Sequence, residues 1–301
     1  MLIKQIMVVD KMNLEIDQFE IEKMAHIKRI SKEDLAKMID HTNLKPYATS
    51  RDIEKLCNEA KQYGFGAICI SPTWVSYAKK LLSGTDIKIA TVIGFPLGST
   101  STKAKVEETK KAVEDGADEL DMVINIGALK EGNLDLVKRD IQKVVEASNG
   151  KVVKVIIETG YLTYEEKITS CKLAKEAGAD FVKTATGFGP MGATAVDVWI
   201  MRKTVGEDMG VKAAGGVSSY EAAIRVIAAG ANRIGTSSGV KIMKTYEEAQ
   251  KNNFEFKYEI PCNICPASKI SQKTPQDVRE YYEKKCRACR YYKYKELLER
   301  C

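Results

Sequence analysis

The segment Lys183-Thr184-Ala185-Thr186-Gly187-Phe188 follows an apolar run and places a lysine inside what reads as a buried parallel strand. An ammonium is costly in such a place unless something there uses it. Burial and a neighbouring cation both depress a lysine pKa, which leaves a fraction as free amine at neutral pH, able to attack a carbonyl and form a Schiff base. A second strand lysine, Lys212 ahead of Ala213-Ala214-Gly215-Gly216, could supply that cation. Strand-end lysines also reach solvent simply by extending their stems, so the reading depends on which residues accompany these two.

Those companions are acidic. Asp121 interrupts the apolar run Leu120-Asp121-Met122-Val123-Ile124-Asn125, and Asp40-His41-Thr42 sits in another strand-like run. Four inward-pointing groups, Asp40, Asp121, Lys183 and Lys212, would form a relay in which a carboxylate favours the charged lysine and the second lysine disfavours it. A purely structural buried salt bridge would use the same residues. Two later phrases, Gly215-Gly216-Val217-Ser218 and Gly235-Thr236-Ser237-Ser238-Gly239, are rich in glycine and hydroxyls. Glycines let backbone N–H groups approach an anion, and a following helix N-terminus adds its dipole, so both loops suit a phosphate.

The elements that must hold these residues can be counted. Short apolar runs rich in β-branched residues cover 38–43, 66–70, 87–95, 119–125, 152–159, 181–186, 211–216 and 233–238. Segments of helical periodicity lie between them, at 51–63, 102–115, 133–148, 164–177, 196–205 and 219–229. Alternation of this kind signals repeated βα units. Three helices end alike, in Asp115-Gly116-Ala117-Asp118, Ala177-Gly178-Ala179-Asp180 and Ala229-Gly230-Ala231-Asn232. The glycine suits a left-handed helix C-cap, and the small residue after it permits a tight turn into the next strand. An open doubly wound sheet uses the same turns, so the count of eight decides for a closed α/β architecture, the (β/α)8 TIM barrel. In that fold chemistry sits at the C-terminal ends of the strands, where the residues above fall.

At 301 residues and 44% hydrophobic content the chain can bury one substantial core. No stretch of about 20 apolar residues exists, and Asp10 and Lys11 interrupt any leader-like order, so a cytoplasmic protein without membrane contact is expected. The barrel should span 34–250, preceded by a helical extension over 1–33 that covers its N-terminal face or, alternatively, acts as an amphipathic docking peptide.

The motifs together resemble the deoxyribose-phosphate aldolase family, class I Schiff-base aldolases on a (β/α)8 barrel. The matching phrases are Asp40-His41-Thr42-Asn43-Leu44-Lys45-Pro46, Gly66-Ala67-Ile68-Cys69-Ile70, Ile93-Gly94-Phe95-Pro96-Leu97-Gly98, Glu119 to Asn125, Lys183 to Phe188 and Val211 to Val217. The resemblance implies reversible cleavage of 2-deoxy-D-ribose 5-phosphate to acetaldehyde and D-glyceraldehyde 3-phosphate, with no cofactor or metal in catalysis. It implies Lys183 as the imine-forming lysine, Lys212 as the lysine that lowers its pKa, Asp121 as the acid/base and Asp40 as a supporting carboxylate. Neither His26 nor His41 is needed as the base. It implies a phosphate site at Gly187, Gly215, Gly216, Gly235, Ser237 and Ser238. Some members carry basic residues where this chain has Phe188 and Ser218, so backbone N–H groups and hydroxyls would hold the phosphate here. Cys69 reads as a small core residue. A related class I aldolase acting on another sugar phosphate is the alternative, and a homodimer or homotetramer is expected.

Residues 251–301 differ in character. They hold twelve Lys/Arg against seven Asp/Glu, so most of the net charge of +6 belongs to this tail. Cys262-Asn263-Ile264-Cys265 and Cys286-Arg287-Ala288-Cys289 have the spacing of a tetrahedral zinc site made of four cysteines, with an iron–sulfur cluster or reduced thiols as alternatives. Interleaved Lys, Arg and Tyr residues also raise the reading of a metal-dependent module that binds nucleic acid or protein, subunit contact included. The preferred one is a metal-stapled segment, too short to bury its own core, with nucleic acid not expected as a partner.

Overall fold

The computed structural model describes residues 30–251. Eight parallel strands close into a barrel in sequence order, β1 pairing with β8. They are β1 (Ile39–Asn43), β2 (Ala67–Ile70), β3 (Lys88–Ile93), β4 (Glu119–Val123), β5 (Val152–Ile156), β6 (Phe181–Lys183), β7 (Gly210–Ala214) and β8 (Arg233–Thr236). The expected (β/α)8 barrel is therefore the fold observed.

The described helices are α1 (Lys32–Lys37), α2 (Ser50–Tyr63), α3 (Val75–Leu81), α4 (Thr102–Glu114), α5 (Ile126–Lys130), α6 (Leu134–Ala147), α7 (Tyr164–Glu176), α8 (Ala195–Val205), α9 (Tyr220–Ala228) and α10 (Gly239–Lys251). Their inward stripes follow the helical repeat: α2 buries Ile53, Leu56, Cys57 and Ala60, spaced three and four apart. Starts are set by side-chain caps. Thr163 and Glu166 form a reciprocal capping box on α7, and Ser101 and Ser219 cap α4 and α9.

The repeated Gly-Ala-Asp/Asn phrase does more than turn the chain. Gly116, Gly178 and Gly230 all take positive φ, as a left-handed C-cap requires. The acidic or amide residue two places later then reaches sideways to the preceding strand. Asp118 accepts from Ile89 N–H at 3.0 Å, Asp180 from Val153 N–H at 2.8 Å and Asn232 from Val211 N–H at 2.9 Å. Each phrase thus sets the register of β4, β6 or β8 against the strand before it.

The expected runs overshoot the strands at their C-terminal ends. The run expected through Thr186 stops as regular strand at Lys183, and that expected through Thr159 stops at Ile156. Past those points single backbone bonds, such as Thr159 N–H to Thr184 O at 2.8 Å, still tie neighbouring segments, but the regular ladder ends and the chain opens into the loops of the C-terminal face. Helices α1, α3, α5 and α10 have no counterpart among the six expected helical segments. The first three are short, and α10 begins in a glycine/serine segment whose local signal is that of a loop.

The N-terminal extension expected over 1–33 lies outside the described residues apart from 30–33, and α1 already spans its boundary with the barrel. The tail beyond Lys251, with the four cysteines of the expected zinc site, lies outside them as well. Among the described residues no helix is long and apolar enough to cross a membrane, and no group of three or more His, Cys, Asp or Glu could hold a metal ion.

Candidate active site

Inside the barrel the strands present a continuous cluster of charged groups. Strand β1 contributes Asp40, β4 contributes Glu119 and Asp121, β5 Lys154, β6 Lys183, β7 Lys212 and β8 Arg233. Period-two alternation puts them on the inner face, and adjacent-strand register brings Asp121 level with Lys154, and Lys183 level with Lys212.

Asp121 is the hub. Its Oδ2 accepts from Lys183 Nζ and from Lys212 Nζ, each at 2.7 Å, and its Oδ1 accepts from Lys154 Nζ at 2.8 Å. Lys212 also forms an ion pair with Asp40. Behind these, Arg233 Nε donates to Asp40 Oδ1 at 2.7 Å, and Arg233 and Lys154 both donate to Glu119. All four residues expected from sequence to form the relay are brought together. The cluster is larger than expected by Lys154, Glu119 and Arg233.

Burial alone would push the Asp121 carboxyl up, but Lys154, Lys183 and Lys212 outweigh it and hold it well below the usual carboxylate range. Asp40 behaves alike: burial opposes ionisation, Lys212, Arg233 and Lys154 override it, and its pKa falls to about 2. For Lys212, burial disfavours the ammonium, yet Asp121 and Asp40 raise its pKa above the ordinary lysine value. Lys212 is therefore a fixed cation. The cluster holds four cationic side chains against three carboxylates, one base in excess. Among the described residues Lys183 has a single carboxylate partner, shared with Lys212, and it is slightly exposed at 4% where Lys154 and Lys212 are fully enclosed.

Lys154 had a signal that was available. It is a lysine in the apolar run Val152-Val153-Lys154-Val155-Ile156, the same pattern that singles out Lys183. Arg233 and Glu119 begin their strands, where a charge reads equally well as a solvated end.

The candidate phosphate residues lie at the C-terminal ends of three neighbouring strands. Gly187 follows β6 with φ 86°, Gly215 and Gly216 follow β7 with φ 89° and 81°, and Ser237 and Ser238 follow β8 ahead of α10. These loops are tied together: Ala193 N–H donates to Gly215 O at 2.8 Å, and Thr236 Oγ1 donates to Val217 O at 2.6 Å. Gly235 is different. It lies within β8 beside Asp40, and a Cβ there would sit 3.0 Å from Lys212 Cε, so its lack of a side chain leaves room for that lysine. At the mouth, Phe188 meets Phe95 edge-on with centroids 5.4 Å apart.

His41 turns away from this cluster, its Nε2 2.7 Å from Glu59 Oε2 and its ring against Phe65; His26 lies outside the described residues. Cys69 is fully buried with Ala90 and Val92, and burial pushes its thiol pKa up, as suits a core residue.

A lysine-rich polar core opening toward glycine- and serine-lined strand ends is what carbonyl chemistry on an anionic substrate needs. Comparison with known proteins agrees, since residues 35–245 match the DeoC/LacD family aldolase pattern. The chain belongs to that aldolase family. This aldolase is 65% identical over 221 residues to the deoxyribose-phosphate aldolase of Thermococcus gammatolerans, covering 72% of this chain and 98% of that protein. It is 63% identical over 210 residues to the enzyme of that name from Streptococcus gordonii, covering 70% of this chain and 96% of that one. Among solved structures, a tetrameric deoxyribose phosphate aldolase from Aeropyrum pernix superposes on the aldolase with a TM-score of 0.71 at 35% identity, covering 76% of this chain and 97% of that one.

Proposed function

We propose that the protein reversibly cleaves 2-deoxy-D-ribose 5-phosphate to acetaldehyde and D-glyceraldehyde 3-phosphate through an imine on Lys183. The observation that carries this reading is the shared Asp121 oxygen: Lys183 holds one half-claimed carboxylate, beside a lysine that stays charged. In its amine form Lys183 Nζ adds to the C1 carbonyl, and loss of water from the carbinolamine leaves a protonated imine. Removal of the C3 hydroxyl proton breaks the C2–C3 bond, releasing D-glyceraldehyde 3-phosphate while the electron pair moves into the iminium to give a neutral enamine. Protonation at C2 and hydrolysis then free acetaldehyde and Lys183. Asp121 handles the carbinolamine and cleavage protons, Lys212 is the neighbouring cation, and Asp40 supports Lys212. No step requires a metal or cofactor.

Gly187, Gly215, Gly216, Gly235, Ser237 and Ser238 take the phosphate in this reading, supported by helix N-termini after β7 and β8. Reduction with borohydride in the presence of acetaldehyde tests the reading: an ethyl group on Lys183 with loss of activity is expected, and an unlabelled, active protein overturns it. A related aldolase with other specificity would keep the label but prefer a different sugar phosphate.

The tail remains a zinc proposal resting on the spacing of Cys262, Cys265, Cys286 and Cys289, and a cytoplasmic homo-oligomer is the setting we propose. Native mass spectrometry of anaerobically purified protein reads subunit number and metal together. One zinc per chain is expected, and a metal-free mass with reduced thiols overturns the knuckle.

A further inference from the structure

Glu158, just past the end of β5, holds a conformation that a glutamate rarely adopts, with φ 55° and ψ 64°. Among the described residues it shares positive φ with one other non-glycine, Asn149, and asparagine tolerates the left-handed region where glutamate does not. Its side chain is buried at 1% exposure. Strain of this kind persists when surrounding structure demands it, and it concentrates near functional sites.

The demand here comes from the loop between β6 and α8. Glu158 Oε2 accepts from Thr186 N–H at 3.0 Å and also from the Thr186 hydroxyl. Thr186 Oγ1 in turn accepts from Phe188 N–H at 3.0 Å, so the carboxylate anchors both sides of Gly187. Its other oxygen, Oε1, is buried without a hydrogen-bond partner and faces Gly189, where a Cβ would fall 2.7 Å away. Burial pushes the Glu158 carboxyl above its ordinary pKa, while the Thr186 bonds and Lys183 oppose that rise. The residues nearer Lys183 are held without the Glu158 carboxylate: Ile157 N–H donates to Lys183 O, Thr159 N–H donates to Thr184 O, and the Thr184 hydroxyl donates to Ala214 O and accepts from Ala214 N–H. The carboxylate therefore fixes the part of the loop beyond Lys183, and not Lys183 itself.

We propose that Glu158 is a positioning residue that sets the Gly187 turn for the substrate's phosphate, and so governs preference for phosphorylated over unphosphorylated substrate. This rests on the aldolase reading above and deepens it. Glu158→Gly keeps the φ of 55° without steric cost and removes only the anchor. It is expected to raise KM for 2-deoxy-D-ribose 5-phosphate about tenfold or more, the scale of a misplaced contact, with kcat/KM for 2-deoxy-D-ribose changed less than about threefold. Glu158→Gln, whose amide oxygen still accepts from Thr186, should restore most of the loss. Gly189→Ala, which crowds the carboxylate from the other side, should reproduce it. Borohydride trapping of acetaldehyde should proceed as in the parent. Equal losses on both substrates, an unchanged KM in Glu158→Gly and Gly189→Ala, or no recovery in Glu158→Gln would overturn the proposal. Failure of the parent protein to cleave the sugar phosphate or trap acetaldehyde would instead remove the aldolase reading beneath it.

Discussion

Lys183 and Lys212 occupy the same level of adjacent strands and donate to one oxygen of Asp121, each at 2.7 Å. Neither lysine owns that carboxylate. Lys212→Leu should give Lys183 sole possession of that oxygen, with Lys154 still on the other, and strip Asp40 of an ion-pair partner. We expect kcat to fall by about 10²–10⁴, because the loss of this fixed cation disturbs Asp121, the group that handles the protons. Loss of one partner from a buried ionic cluster should also cost about 3–5 kcal/mol in urea unfolding. A near-parental kcat would count against the assigned role.

Asp121→Asn should be worse for stability than Lys212→Leu. The substitution leaves Lys154, Lys183 and Lys212 facing one another with the hub charge removed, at the upper end of or beyond about 3–5 kcal/mol. The comparison is made by denaturant midpoints of the two variants under identical conditions. Equal midpoints would mean that the carboxylate is not the centre of the cluster.

Asp40 predicts a pH dependence. Its pKa falls from the ordinary 3.8 to about 2 in the folded barrel, so its contribution is fully present above about pH 4 and disappears as pH drops through about 2. The contribution is about 2 kcal/mol, at about 1.4 kcal/mol per pKa unit. Asp40→Asn should flatten the stability curve in that window, measured by thermal unfolding from about pH 5 to about pH 2. An unchanged slope would show that the titration belongs to other carboxylates.

Gly235→Ala separates activity from stability. The added Cβ would sit 3.0 Å from Lys212 Cε and from Ala214 Cβ, a mild overpacking of about 1 kcal/mol. Displacing Lys212 by a few tenths of an ångström should nonetheless lower kcat about tenfold, because the relay depends on its geometry. The check is steady-state kinetics beside a melting curve. A drop in kcat no larger than the loss of folded protein would refute it.

Gly192→Ala should act at the phosphate end. A Cβ on Gly192 would fall 2.2 Å from the Gly215 carbonyl oxygen, so the backbone of one candidate phosphate loop must move. KM for the sugar phosphate should rise about tenfold while acetaldehyde trapping on Lys183 persists. An unchanged KM would place the phosphate away from Gly215.

The barrel was legible because its signals are local. Eight apolar runs, helical spacing and three Gly-Ala-Asp/Asn turns each depend on residues a few positions apart. Strand ends were less so, since where a run stops pairing depends on the neighbouring strand. The relay residues Asp121, Lys183 and Lys212 stood out as charges inside apolar runs. Lys154 carried the same mark, but no partner beside it in sequence gave it meaning.

What the sequence determined by itself was the fold class and the identity of a lysine- and carboxylate-based centre, because period and composition dictate which faces are buried. Only the tertiary structure decided who pairs with whom. Asp40 and Arg233 are 193 residues apart, and Lys212 and Asp121 are 91 apart. Closing the barrel brings such groups within hydrogen-bond reach, and in a water-poor interior that proximity sets their charge states. The strained Glu158 was hidden for the same reason: its side chain answers to Thr186, 28 residues away, a contact that nothing in its own neighbours signals.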